Sequence, residues 1–190
     1  MKPPYSNTTA RRLCTEMFDD IVAFHEKFQL PPFDHFDAMP ADLVAFRQKF
    51  LMEEAAEIYE AAMRRQKADA LDGFVDLAYV ALGTFYLAGG KRWFVETHTP
   101  KDLAVFDIFK MKDHVELNKT TVLDHMLDIA LLCRREAISS GFYFDEAWKR
   151  VHGANMRKVR SKSKDEGKRG STWDVVKPEG WCPPIMDDLV

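Results

Sequence analysis

Residues 53–57 read Glu-Glu-Ala-Ala-Glu, and residues 69–90 read DALDGFVDLAYVALGTFYLAGG. The second stretch decides the fold. It is apolar on every side of a helical wheel except at Asp69, Asp72 and Asp76, and Asp76 is the only charged residue between Gly73 and Gly90. A helix that is apolar all round is either a core helix or a membrane span. The run is long enough to span a bilayer, but an intramembrane Asp costs about 2.5–3.5 kcal/mol on insertion scales, and Gly83 and Thr84 interrupt it. We therefore expect a helix at the centre of a bundle, with no membrane partner.

The flanking segments carry helical signals as well. A first helix is expected from about Thr9 to Phe28, with Leu13, Met17, Ile21, Phe24 and Phe28 on one face. Pro31-Pro32 stops it, and a loop reaches Pro40. A second helix runs from Ala41 to about Arg65. The third spans about Ala68 to Ala88 and ends at Gly89-Gly90, a common C-terminal signal. Thr99-Pro100-Lys101-Asp102 has the form of a helix start with Pro in its first turn. Thr121 with Asp124 resembles a capping box and opens a helix to about Ser140, which Gly141 ends. A last helix is expected from Phe144 to Val159. Residues 161–170 are polar and basic and are expected to be mobile. Trp173 to Pro184, rich in Trp and Pro, is expected to be an extended arm that packs on something. There is no alternating strand pattern and no internal repeat. The expectation is one all-α domain over residues 1–190, built like a four-helix bundle, with an extended tail from about residue 160.

The chain has 190 residues and a net charge of −3, so it carries no basic field for gripping nucleic acid. Cys14, Cys133 and Cys182 form no CxxC pair, which points to neither a disulfide framework nor a zinc knuckle. Met1-Lys2-Pro3-Pro4 lacks the apolar core of a signal peptide. A cytoplasmic location, in a bacterium or a phage-infected host cell, is the expectation.

An α-helix turns about 100° per residue. With Leu43 at zero, Phe46, Phe50, Ile58 and Ala61 fall within about 60° and form a core stripe. Glu54 lands near ~20°, Arg47 near ~40° and Glu57 near ~−40°, inside that stripe, with Glu53 at its edge. Glu60, Lys49 and Gln48 fall outside it, where solvated charges belong. On the third helix Asp69, Asp72 and Asp76 form one acidic ridge, and Gly83 continues it. A buried carboxylate is costly without compensation. If the two helices pack antiparallel, their ridges offer four or five carboxylates to a hard cation, and all-oxygen ligation favours magnesium, with manganese as a substitute. Three alternatives stand beside this one. The Glu-rich stretch is a solvated face, Asp69 only flanks the helix start, or Arg47 pairs with Glu54 or Glu57 without metal. A di-iron site is excluded because no Glu has a His three residues later.

These residues resemble the all-α nucleotide pyrophosphohydrolase superfamily, the MazG-like and phosphoribosyl-ATP pyrophosphohydrolase group, whose hallmark is EExxE followed one helix later by ExxD. Glu53-Glu54-x-x-Glu57 matches the first half. In the second half Asp76 matches, Gly73 stands where the family has Glu, and Asp72 is the nearest substitute. Asp72 to Thr84 is similar to the family's DALxDLxYVxxGT segment, residues 151–158 to its VHxxNMxK segment, and Gly167-Lys168 with 176–184 to its GK…KP…PP tail. The stretch 91–142 is longer than the usual form and is expected to be a helical insertion.

The resemblance implies magnesium-dependent hydrolysis of a (deoxy)nucleoside triphosphate between its α- and β-phosphates, by a homodimer or homotetramer. It also implies roles. Glu54, Glu57 and Asp76 would hold metal, with Asp72 completing the set, and Glu53 would orient or deprotonate the attacking water. Lys158 would bind phosphate and Asn155 would read base or sugar. Arg47 and Lys49 are weaker phosphate candidates, His152 is expected to be structural, and Trp148, Phe142 and Tyr143 are candidates for a base pocket. The rival reading is a catalytically weak nucleotide-binding protein or a structural helical oligomer of the same fold.

Overall fold

A computed structural model describes residues 7–99 and 117–190. The expected helix start at Pro100-Lys101-Asp102 lies outside these residues. The described chain is all-α: α1 Asn7–Lys27, α2 Ala41–Met63, α3 Lys67–Leu87, a short α4 Arg92–Thr97, α5 Val122–Ser139 and α6 Phe144–Asn155. Two 3-10 turns, Phe36–Ala38 and Asp187–Leu189, complete the helical elements. The described strands are two residues each: β1, Val159–Arg160, pairs antiparallel with β2, Val175–Val176.

The apolar run is the central helix, as its composition requires. On α3 the side chains of Leu71, Val75, Leu77, Ala78, Ala81, Leu82 and Phe85 are wholly buried. The helix is long and apolar enough to cross a membrane. Here α2 and α5 pack along it, and α1 and α6 cover the remainder. Residues 122–139 were expected to be part of an insertion, yet α5 supplies a full wall of the core through Met126, Leu127, Ile129, Ala130, Cys133 and Ala137. Thr121 does precede this helix, but its side chain makes no capping bond, so the expected capping box does not form.

Only Arg64, Arg65 and Gln66 join α2 to α3, so the two helices must run antiparallel. Arg65 takes the left-handed conformation that the reversal needs (φ 57°). The register follows: Arg47 bonds Thr84 and Val80 of α3, and Ile58 packs on Gly73. Glu54 lies between these two contacts, close enough to Asp76 for that charge to raise its pKa. Gly89 ends α3 with φ 90°, and a Cβ there would lie 2.5 Å from the Asp34 carbonyl oxygen.

Two stretches differ from expectation. The last long helix stops at Asn155 rather than Val159, because the chain turns there into β1. Residues 161–170, expected to be mobile, form a series of turns laid against α2, with the Arg169 side chain only 11% exposed. The segment beyond packs as an arm. Trp173 donates its indole N–H to Asp42 (3.1 Å) and Trp181 donates its own to the Ala154 carbonyl (2.9 Å).

Candidate active site between the second and third helices

A cavity of about 500 Å³ opens between α2 and α3, closed on one side by the end of α6 and on another by the β1–β2 arm. Glu54, Glu57, Asp72 and Asp76 line it from the two antiparallel helices. Asn155 and Lys158 enter from the end of α6, and Arg47 lines the deeper part. The structure thus brings together seven of the eight residues singled out from the sequence. The eighth, Glu53, points to the arm beside the cavity and is absent from its lining.

Burial sorts the carboxylates differently from the helical wheel. Glu54 is buried, as expected. Glu57 was placed in the core stripe but its side chain is 53% exposed, at the cavity's rim. The cause is the true centre of the stripe. Leu51 and Ile58 are the most deeply buried residues of α2 and lie about 80° and 60° from Leu43 on the wheel, on the side away from Glu57. Asp69 is exposed, at the start of α3 and off the cavity lining, as the flanking reading has it. Lys49 is exposed and does not line the cavity.

The electrostatics show a site short of positive charge. Burial pushes the Glu54 carboxyl up to about 9, with the Asp76 and Glu57 charges adding to the effect. Burial and the neighbouring Asp72 push Asp76 up to about 7, against the pull of Lys158. Burial and the charges of Glu57 and Asp69 raise Asp72 too. Lys158 moves the other way: burial draws it below the usual lysine value, and Asp76 opposes this. Oε2 of Glu54 is buried with no hydrogen-bond partner among the described residues, a state that costs about 1–3 kcal/mol, more for a charged group.

The cations that do reach the carboxylates come from a segment whose role the sequence reading missed. Arg169 donates Nε to Glu53 (2.9 Å) and Nη2 to Glu54 (3.2 Å), and its Nη1 lies 3.5 Å from Asp174. Its guanidinium stacks on the Phe50 ring at 3.5 Å. Lys168 pairs with Glu53 and lies 3.6 Å from Glu57. Burial alone would raise Glu53, yet Lys168 and Arg169 together hold it below the usual glutamate value. Lys177, from the same arm, also lines the cavity and sits over the Trp181 ring. The signal was the density of Lys and Arg in 160–170, read as mobility rather than as counter-charge. The alternative pairing of Arg47 with Glu54 or Glu57 does not occur. Arg47 is buried and spends its donors on Thr84 Oγ1 (2.9 Å) and the Val80 carbonyl. Burial, with Arg169 nearby, pulls its pKa down to about 9.

The inner end of the cavity is aromatic: Phe24, His25, Phe50 and Tyr79 line it with Val80 and Gly83. Gly83, which continues the acidic ridge, leaves room for a close approach. A Cβ there would lie 3.0 Å from Arg47 Nη2 and 3.1 Å from the His25 ring, so what approaches is this pair of side chains. Burial pushes His25 down to about 3, so it is neutral, and its Nδ1 donates to the Ile21 carbonyl (2.8 Å). The aromatic residues that were candidates for a base pocket are elsewhere. Trp148 is buried against Tyr79 and donates to Asp20 (2.8 Å), Tyr143 is exposed, and Phe142 packs on the core. His152 bridges Tyr79 and Asp20, a structural position.

Gly73 explains its own departure from the family pattern. A Cβ there would fall 2.8 Å from Ile58 Cγ1, so position 73 faces the backbone of α2 rather than the cavity. Asp72, one residue earlier, is the side chain that reaches the lining.

The donor set is all oxygen, one of its oxygens is orphaned, and burial, with neighbouring negative charges, raises the Glu54, Asp72 and Asp76 carboxyls. Those properties fit a hard divalent cation held by Glu54, Glu57, Asp72 and Asp76. Among the described residues, no group of three His, Cys, Asp or Glu side chains already converges as a ligating set.

Residues 22–89, from within α1 to the glycine that ends α3, match the family model for phosphoribosyl-ATP pyrophosphohydrolase. No curated protein matches the chain, and no solved structure does. The match contains both acidic clusters and excludes α6 and the arm.

Proposed function

Residues 22–89 match the family model for phosphoribosyl-ATP pyrophosphohydrolase, and we propose that this chain is a MazG-like all-α pyrophosphohydrolase that hydrolyses a (deoxy)nucleoside triphosphate between its α- and β-phosphates. The products would be the nucleoside monophosphate and pyrophosphate. The observation that carries this reading is the facing of two charge sets across one cavity. Glu54, Glu57, Asp72 and Asp76 stand on one side, with Lys158, Lys168, Arg169 and Lys177 on the other. A polyphosphate with its cation is a ligand that satisfies both.

Magnesium, with manganese as a substitute, would supply charge neutralisation at the phosphates and a more acidic water. The chain's own residues do the rest. Lys158 and Lys177 bind phosphate oxygens. Phe24, Phe50 and Tyr79 form the apolar end that suits a base, with Asn155 within reach of base or sugar. Water oxygen attacks phosphorus, the anhydride P–O bond breaks, and pyrophosphate leaves with its electron pair. The water proton goes to a carboxylate. Glu53 remains the candidate for orienting that water once the arm releases it, because an ion-paired carboxylate of lowered pKa is a weak proton acceptor.

We also propose that the active form is a homodimer or homotetramer. Met52, Ala56, Tyr59 and Met63 recur at spacings of four, three and four on the exposed face of α2, the pattern of a helix–helix seam. A second copy is the partner that this spacing suits.

The test is a panel of nucleoside triphosphates with magnesium or manganese, products separated by chromatography. Monophosphate and pyrophosphate should appear, and Glu54→Gln and Asp76→Asn should each abolish them. Full turnover in either variant overturns the assignment. Nucleotide binding with no turnover across the panel would favour the binding-protein reading instead.

A further inference from the structure

Arg169 belongs to a segment outside the family match, yet its guanidinium contacts the acidic cluster directly. It touches three carboxylates and one aromatic face, and its side chain is nearly buried. The arm that carries it is fastened elsewhere. Arg160 donates to the Phe28 and Gln29 carbonyls at 2.8 Å, Ser161 N–H donates to the Asp174 carbonyl, and Trp173 donates to Asp42. Residues 162–170, between these fastenings, are turns and bends. Gly170, next to Arg169, has φ 65° and nothing within 4 Å of where a Cβ would sit. The arm is therefore fastened at points other than Arg169, and stays docked whether or not Arg169 holds the carboxylates.

Resting on the function proposed above, we infer that Arg169 is a tethered counter-ion that a metal displaces. In the free protein its guanidinium stands against Glu53 and Glu54, and with metal and nucleotide bound it turns to the phosphates. The observations agree on this point. Arg169 satisfies Glu54 Oε1 only, leaving Oε2 buried and orphaned. A divalent cation at Glu54 would repel the guanidinium a few ångströms away. The planar fork of arginine matches a phosphate as well as it matches a carboxylate. Lys158 and Lys177 already line the same cavity, so the phosphates that attract them lie where Arg169 would turn. Arg169 is then a positioning residue with opposite effects on two ligands. It weakens metal binding to the empty protein and strengthens binding of the metal–polyphosphate.

Manganese and inorganic tripolyphosphate are the probes, because they leave the base undecided. Free manganese is followed by electron paramagnetic resonance in titrations of the full chain, native, Arg169→Gln and Arg169→Lys, without polyphosphate. Calorimetry with tripolyphosphate in saturating manganese follows, and thermal melts check that each variant is folded. Arg169→Gln should bind manganese about tenfold more tightly than native and bind manganese–tripolyphosphate roughly 10- to 100-fold more weakly. Arg169→Lys, which keeps the charge but not the fork, should lie between and serves if Arg169→Gln is unstable. Equal manganese affinity in native and variant proteins overturns the inference and leaves the proposed metal site standing. Loss of both affinities in Arg169→Gln marks a merely structural residue and also overturns it. Failure of all three proteins to bind manganese overturns the inference together with the metal site it rests on.

Discussion

Replacing Gly73 tests the register that builds the site. In Gly73→Ala the new methyl lies 2.8 Å from Ile58 Cγ1 and 3.4 Å from the Ile58 N and Cα atoms. Ile58 is wholly buried, and an isoleucine in a helix is nearly fixed at χ1, so it cannot swing clear. Overpacking of this kind costs about 1–3 kcal/mol. Removing glycine from a helix interior returns about 1 kcal/mol. The net loss is about 1 kcal/mol, which lowers the melting temperature of a chain of this size by about 2–4 °C. Gly73→Glu, which restores the family residue, should lose more, because its stem must also be driven into α2, and it should gain no turnover. Thermal and urea melts followed by circular dichroism measure both. Ile58→Ala on its own leaves a cavity. Combined with Gly73→Ala it should cost at least about 1 kcal/mol less than the two changes added, since each relieves the other. A Gly73→Ala protein that melts above native, or strict additivity in the double variant, would refute the close packing of α2 on α3 at this point.

Three further outcomes are expected. In the folded, metal-free chain Glu54 and Asp76 keep their protons up to about 9 and about 7, against ordinary values of 4.5 and 3.8. The folded state therefore binds more protons than the unfolded one across that window, and stability in chelator should fall as pH rises from 3.8 towards about 9. Saturating magnesium should flatten the slope, and a rise in melting temperature with pH in chelator would contradict it. His98 and Asp128, both buried, meet at 2.8 Å. His98→Phe should cost about 1–3 kcal/mol, seen as a drop of several degrees, while His98→Phe with Asp128→Leu should recover most of it. Tyr59→Lys with Met63→Glu should reduce the assembly to monomers by light scattering without changing the circular dichroism spectrum, and an unchanged mass would dismiss the α2 seam.

The fold was legible where one signal dominated. The apolar run fixed α3 to within a residue at each end, since a segment apolar all round must be interior and Gly89 must end it. Glu54, Asp72 and Asp76 were legible because carboxylates in an apolar frame stand out. Glu57 and Glu53 were misjudged against each other, because a wheel anchored on Leu43 misses the deeper burial towards Leu51 and Ile58, on the side away from Glu57, and cannot see the Lys168–Arg169 segment that covers Glu53. Arg169 was invisible for a different reason. Its meaning depends on a contact more than a hundred residues away in the chain, and no local period marks the place where a polar tail folds back onto an acidic helix. The short α4, held by Arg92 to Asp19 and Glu96, was missed because its one deep side chain, Val95, is too little to give a periodic signal.

The central position of α3 also sets the order of events while the chain is being made. At about 5–20 residues per second, α5 begins roughly 35 residues after α3 ends, and α6 comes later still. For a few seconds the most apolar segment of the protein has left the ribosome before the α5 wall that covers it, and a helix of its length and hydropathy passes for a membrane span. Asp72 and Asp76 sit inside that segment, and each makes transfer into a bilayer costly. The acidic residues of the cavity are thus also the ones that make this helix, taken alone, a poor membrane span.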